Sequence, residues 1–121
     1  MKTQKMYIGG AQTGAPFLKE IEVMLADSFL ARLSGLMFRR RLPPATGLLL
    51  VPCNSVHMCF MRFAIDVVYI DKEYKIIKVV KSLRPWVGLS MCSQAWATLE
   101  MTAGEAERCG CATGKKLTLV S

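Results

Sequence analysis

Residues 66–81, DVVYIDKEYKIIKVVK, decide the fold class. Residues 66–71 form an apolar run of strand type. Lys72-Glu73 suits a tight turn, and residues 74–81 are rich in the β-branched side chains that pack well on a pleated surface. The spacing predicts a β-hairpin. Working outward, residues 48–51 form a short apolar run. In residues 55–61, Val56, Met58 and Phe60 alternate with Ser55, His57 and Cys59, so the two sets take opposite faces of a strand. Residues 96–101 and 116–120 read as further strands, with Ala103-Gly104 and Thr113-Gly114 as turn signals.

Toward the N-terminus, Ile21, Val23 and Leu25 alternate with Glu20 and Glu22, which predicts a half-buried strand over residues 17–25. Asp27 or Ser28 then offers an N-cap. Phe29, Leu33 and Leu36/Met37 recur at helical spacing, predicting an amphipathic helix over residues 28–37 that Pro43-Pro44 cannot continue. Residues 1–15 are polar and Gly-rich and read as a flexible arm, leaving residues 16–121 as one domain. The expected architecture is mainly β (α+β): a small closed or partly closed barrel-like sheet of about six or seven strands, with one helix in the N-terminal half.

The 121 residues carry 16 Lys and Arg against 9 Asp and Glu, a net charge of +7, with a hydrophobic share of 52%. This composition excludes a disordered or collagen-like chain and favours anionic partners. No window offers the ~20 apolar residues of a membrane span, and none near the start offers the ~7–15 of a secretory signal. The chain as given reads as cytoplasmic, with export of a longer precursor left open. Five cysteines are simplest as reduced thiols of a cytosolic protein.

From Gly35 to Leu117 the chain resembles the domain of unknown function 192 family. The residues that carry the likeness are Gly35-Leu36-Met37-Phe38-Arg39, Gly47-Leu48-Leu49-Leu50, Ser55-Val56-His57, Met61-Arg62-Phe63 and residues 65–71 (IDVVYID). Arg84-Pro85-Trp86, Leu99-Glu100 and Ala103-Gly104 follow in order. The resemblance implies a small, mostly β domain with a helix and no established activity. Relatives tend to carry a hydroxyl residue at the place of Met58, a glycine at Phe60, a proline at Ala64 and a Gly-Asp pair at Gly114-Lys115.

The polar residues of the central region suggest a pocket. His57 is the single histidine and shares a strand face with Ser55 and Cys59; it suits a polar anchor or a structural bond to the backbone. Asp66 aligns with core residues and must find partners, since an unpaired buried charge is expensive. Arg62, four residues earlier, offers a two-pronged donor, either as a latch on Asp66 or as a clamp on a ligand anion. Trp86 lies in the long irregular stretch of residues 82–94, where an indole could cover a pocket or stack on a sugar ring.

The candidate ligand site is therefore Ser55, His57, Arg62, Asp66, Arg84, Trp86 and Glu100. It fits a non-enzymatic binding or accessory module for a small anionic or carbohydrate-like ligand. The alternatives are a hydrolase-type enzyme using His57 and a carboxylate, and a protein or nucleic-acid adaptor working through the basic surface. Cys109-Gly110-Cys111 lacks the second close ligand pair that structural zinc requires. Cys59 and His57 stand roughly 6.5–7 Å apart along a strand, at the limit of a thiolate–imidazole bond. No metal, cofactor or sequence-specific nucleic-acid partner is expected, and the oligomeric state is open.

Overall fold

The computed structural model describes residues 3–9, 19–26, 44–58 and 63–120, with the backbone alone at residues 19, 26, 57 and 120. The predicted helix over residues 28–37 lies outside the described residues, as do Cys59, Phe60, Met61 and Arg62. The described chain runs β1 (Thr3–Gly9), β2 (Lys19–Ala26), β3 (Thr46–Leu50), β4 (Ser55–His57), β5 (Ile65–Ile70), β6 (Ile76–Leu83), β7 (Leu89–Met91), β8 (Ala97–Thr102), α1 (Glu105–Arg108) and β9 (Lys116–Val120).

Seven strands form one mixed sheet in the order β6-β5-β8-β3-β2-β1-β9, while β4 and β7 pair separately as a two-stranded ribbon. The β2–β3 pair is parallel and the other ladders are antiparallel. The expected hairpin is β5–β6. Its turn is built by Asp71, whose Oδ1 accepts the N–H groups of Glu73 at 2.9 Å and Lys75 at 3.0 Å. Tyr74 takes a positive φ of 62° there.

All six residues of β5 are buried. A strand covered on both faces reads as a continuous apolar run, which is why residues 67–70 show no alternation. One face joins Val68 and Ile70 to Met6, Ile8, Ile21, Leu49, Leu99 and the α1 residue Ala106. The opposite face joins Ile65, Val67 and Tyr69 to Leu48, Leu50 and the ribbon residues Val56 and Met58. The sheet is thus a wall between two cores, one under α1 and one under the β4/β7 ribbon.

Three expectations are corrected. Residues 3–9, read as part of a flexible arm, form β1, which pairs with β2 on one side and β9 on the other. Met6 and Ile8 are fully buried, and the alternation Lys5-Met6-Tyr7-Ile8 was the signal for it. Of the expected closed or partly closed sheet, the closed form does not hold: among the described residues the chain at the edge strands β6 and β9 meets at one corner, through the isolated bridge Lys75–Lys116 and the bonds from Ile76 N–H to Lys115 O at 2.9 Å, Gly114 N–H to Ile76 O at 2.8 Å and Leu117 N–H to Tyr74 O at 2.8 Å. The stretch read as irregular over residues 82–94 contains the short strand β7.

Candidate functional site

Register decides which predicted residues can meet. Val67 and Leu48 lie directly opposite Glu100 in the neighbouring strands, so Glu100 faces the ribbon core. Asp66 lies opposite Met101 and faces the α1 core. The two acids point to opposite sides of the sheet.

Asp66 is 1% exposed, and its partners are three backbone donors. Oδ1 accepts Ser82 N–H at 2.9 Å; Oδ2 accepts Gly104 N–H at 2.9 Å and Ala106 N–H at 3.0 Å. The carboxylate ties β6 and the start of α1 to β5. Gly104 precedes the helix at φ 94°, a conformation that favours glycine. Nearby Glu105 closes the same corner. Its carboxylate takes two bonds from Arg108, at 2.6 and 2.7 Å, and one from Ala45 N–H at 2.7 Å. The Arg108 guanidinium, with help from the Ala45 bond, holds Glu105 down to about 2 against the cost of burial. This corner is structural: each acid spends its lone pairs on the fold.

Glu100 is the opposite case. It is 8% exposed, and no hydrogen bond to its carboxyl is found among the described residues. Burial pushes its carboxyl up to about 7. Beside it on the same face, Tyr69 donates its hydroxyl to Ser90 Oγ at 2.8 Å, pinning β7 to the sheet. Tyr69 is raised above its ordinary value, first by burial and further by Cys53, Cys92 and Glu100, while the Ser90 bond lowers it. Lys78 lies over the Tyr69 ring at 5.9 Å and donates to Met91 O at 3.2 Å.

The ribbon pairs Ser55 with Met91, Val56 with Ser90 and position 57 with Leu89. Val56 and Ser90 turn inward. Ser55, Leu89 and Met91 are exposed. The segment 84–88 is bound to the ribbon by backbone bonds: Trp86 N–H to Met58 O at 2.8 Å, Met58 N–H to Gly88 O at 2.9 Å and Gly88 N–H to Arg84 O at 3.0 Å. Gly88 is required there. A Cβ would come within 2.5 Å of Arg84 O and 2.8 Å of Met58 Cγ. Trp86 takes φ 67°, a rare conformation for a bulky residue, and is 56% exposed. Arg84, at the base of the segment, is exposed.

The predicted set therefore divides three ways. Ser55, Arg84 and Trp86 lie on the ribbon and its attached loop, with position 57 on the ribbon opposite Leu89. Glu100 lies beneath the ribbon, and Asp66 on the far face of the sheet. Arg62 lies outside the described residues. Two hollows missed by sequence reasoning flank Trp96. One, of about 490 Å³, is bounded by residues 71–73 and 93–96; the other, of about 290 Å³, by residues 52–54 and 95–96. Trp96 is half-buried and packs edge-on against Tyr74 at 5.7 Å. Cys109 and Cys111 are buried, and burial with the neighbouring Cys109 pushes Cys111 up to about 12. Among the described residues no three His, Cys, Asp or Glu side chains gather in a metal-binding group.

The sequence profile of the domain of unknown function 192 family, described as "Uncharacterized ACR", matches residues 11–119. The chain belongs to this family. Two curated relatives are members of uncharacterised protein family UPF0127. The one from Pyrococcus horikoshii is 36% identical over 72 residues, 55% of this chain and 60% of that protein. The one from Pyrococcus furiosus is 38% identical over 71 residues, 54% of this chain and 59% of that protein. The match thus spans about 60% of these relatives' length. Two crystal structures share the fold. A proposed transcription regulator from Sinorhizobium meliloti superposes with a TM-score of 0.86 at 21% identity, covering 98% of this chain and 94% of that one. A protein of unknown function from Novosphingobium aromaticivorans gives 0.80 at 19% identity, covering 94% and 83%.

Proposed function

We propose that this family member is a non-enzymatic binding or accessory module, with its recognition element on the β4/β7 ribbon and the segment 84–88. Trp86 carries the reading. Its indole is held outward by a left-handed backbone and by hydrogen bonds on both sides of the segment. Strain of this kind costs of order 1–3 kcal/mol and clusters at functional sites. Arg84, two residues before the indole, is exposed, and the exposed Ser55 lies across from Met91 at the other end of the ribbon. An aromatic face, a cation two residues away and a hydroxyl on the same ribbon suit a small anionic or polyhydroxylated ligand. The net charge of +7 favours the same class.

A thermal-shift screen with sugar phosphates, citrate and inorganic phosphate tests this. A ligand at one hundred times its Kd adds about 2.7 kcal/mol through linkage. The shift should vanish in Trp86→Ala and Arg84→Ala, both exposed positions whose own melting temperatures stay near that of the parent. A flat screen on folded protein overturns the reading.

A second reading, acid–base catalysis, draws on Glu100. A carboxyl near 7 is matched to proton transfer at neutral pH. It requires a substrate to reach beneath the ribbon, and loss of turnover in Glu100→Gln is its test.

A further inference from the structure

The large apolar side chains exposed among the described residues all come from one six-residue span: Trp86 at 56%, Val87 at 76%, Leu89 at 76% and Met91 at 66%. In β7 the usual alternation is inverted. Ser90 turns inward to the Tyr69 hydroxyl, while Leu89 and Met91 turn to water. Clustering of this kind marks an interaction surface, whereas single exposed apolar residues are ordinary. The span is fixed in shape by the bonds to Met58 and by the tight approach at Gly88. Exposure of about two-thirds or more at Val87, Leu89 and Met91 means that these three side chains stand out from the surface, with the Trp86 indole more than half exposed beside them in the chain.

The stretch of chain that carries the tip is basic, with Lys81 alone of its cations ion-paired among the described residues, to Glu107 at 3.6 Å. From residue 74 to residue 99 the chain carries Lys75, Lys78, Lys81 and Arg84 and no acid. Lys78 lies against Met91, with Nζ 3.2 Å from its carbonyl oxygen. Arg84 stands at the base of the segment that carries Trp86. An outstanding apolar tip needs a partner that yields around it, and its cationic rim needs that partner to be negative. A bilayer surface of anionic phospholipid meets both needs without a preformed complementary pocket, and an indole is at home at the headgroup boundary.

We propose that the tip formed by residues 84–91 docks on an anionic phospholipid surface, with Trp86, Leu89 and Met91 entering the headgroup boundary and Arg84 and Lys78 meeting lipid phosphates. This rests on the binding-module reading and names its ligand chemistry: a phosphate ester presented at a bilayer.

The test is co-sedimentation of the full chain with vesicles of phosphatidylcholine and phosphatidylglycerol at 3:1, against pure phosphatidylcholine, in 0.1 M salt. Binding should be at least about tenfold tighter on the anionic vesicles. Brominated acyl chains should quench fluorescence in the parent and not in Trp86→Phe. Leu89→Asp/Met91→Asp should abolish binding; should that pair fail to fold, the exposed Val87→Asp supplies the same readout. Equal binding to both vesicle types overturns the proposal. So does anionic binding that persists in the Asp variants, since that is attraction of the net charge alone. A dimer dispersed by Leu89→Asp/Met91→Asp, without vesicle binding, assigns the tip to a second copy and also overturns it. Should soluble glycerol 3-phosphate stabilise the parent and not Trp86→Ala while vesicles are ignored, the binding module stands and the membrane assignment falls.

Discussion

Asp66 and Glu100 are acids buried in adjacent strands of one sheet, and they are solved in opposite ways. Asp66 faces α1 and receives three backbone N–H groups, from Ser82, Gly104 and Ala106. Glu100 faces the ribbon between Leu48 and Val67, with burial raising its carboxyl to about 7. A charge that organises the surrounding backbone is a fastener. A carboxyl placed among apolar neighbours is a local instability retained within an otherwise consistent core. The α1 face is therefore the scaffold. The ribbon face, which also holds the Tyr69–Ser90 bond and the exposed tip, is where the molecule departs from what stability alone would choose.

The sharpest way to break this contrast is to remove each acid. Asp66→Ala strands three donors inside the fold. At about 1–3 kcal/mol for each buried unsatisfied group, partly relieved by relaxation, the loss should be on the order of 4 kcal/mol in chemical denaturation. A loss below about 1 kcal/mol would mean that Asp66 is no fastener.

Glu100→Gln should act in the other direction at neutral pH. Below about 4.5 the carboxyl is protonated in folded and unfolded chains alike. Between 4.5 and 7 the folded chain keeps a proton that the unfolded chain has released, so stability falls as pH rises; above 7 the loss is complete. The full effect is at most about 3 kcal/mol. Glu100→Gln should flatten that slope and be the more stable protein at pH 8. Glu105 gives the reverse sign on the other face: held near 2, it stabilises above 4.5 and loses that contribution as pH falls toward 2. Denaturation curves at pH 3, 5 and 8 separate the two acids.

Much of the scaffold was legible in the sequence because its side chains obey the pleat. Ile21 and Val23 alternate with charge, and the β-branched run of residues 76–80 follows the turn read at Lys72-Glu73, although the Asp71 side chain that builds that turn went unread. The α1 corner was half legible. Asp66 declared itself as an acid in register with core residues, but its partners are backbone groups of residues 82, 104 and 106, which have no signature in side-chain identity. β1 was missed because glycines and polar residues surround a two-step alternation only four residues long. β7 was missed because its pattern is inverted, with Leu89 and Met91 outward and Ser90 inward. A reading that assigns apolar residues to the core fails at an element built to face something other than the core. The convergence of Ser55, Asp66 and Glu100 failed for a simpler reason: strand order sets the face, and strand order is a long-range property.

Gly88→Ala tests whether the tip is held or merely exposed. The added methyl meets Arg84 O at 2.5 Å, a backbone atom that cannot swing aside. The segment must shift, at a cost of about 1–3 kcal/mol, and Trp86 must shift with it. The expected result is a lower melting temperature together with altered Trp86 fluorescence. Unchanged emission would show that the indole does not depend on the close approach at residue 88.

The smallest expected effect bears most directly on the ribbon. Tyr69→Phe removes the hydroxyl that donates to Ser90 and leaves the ring beneath Lys78. The cost should be about 1 kcal/mol, the ordinary worth of one hydrogen bond, and Ser90→Ala should cost about the same. The double variant should cost little more than either alone, because both remove one interaction. If instead the two losses add, the bond does not join the ribbon to the sheet energetically. The ribbon would then be held by the packing of Val56 and Met58 and by the remaining polar ties, from Lys78 to Met91 O and from Cys53 to Trp96 and Thr98.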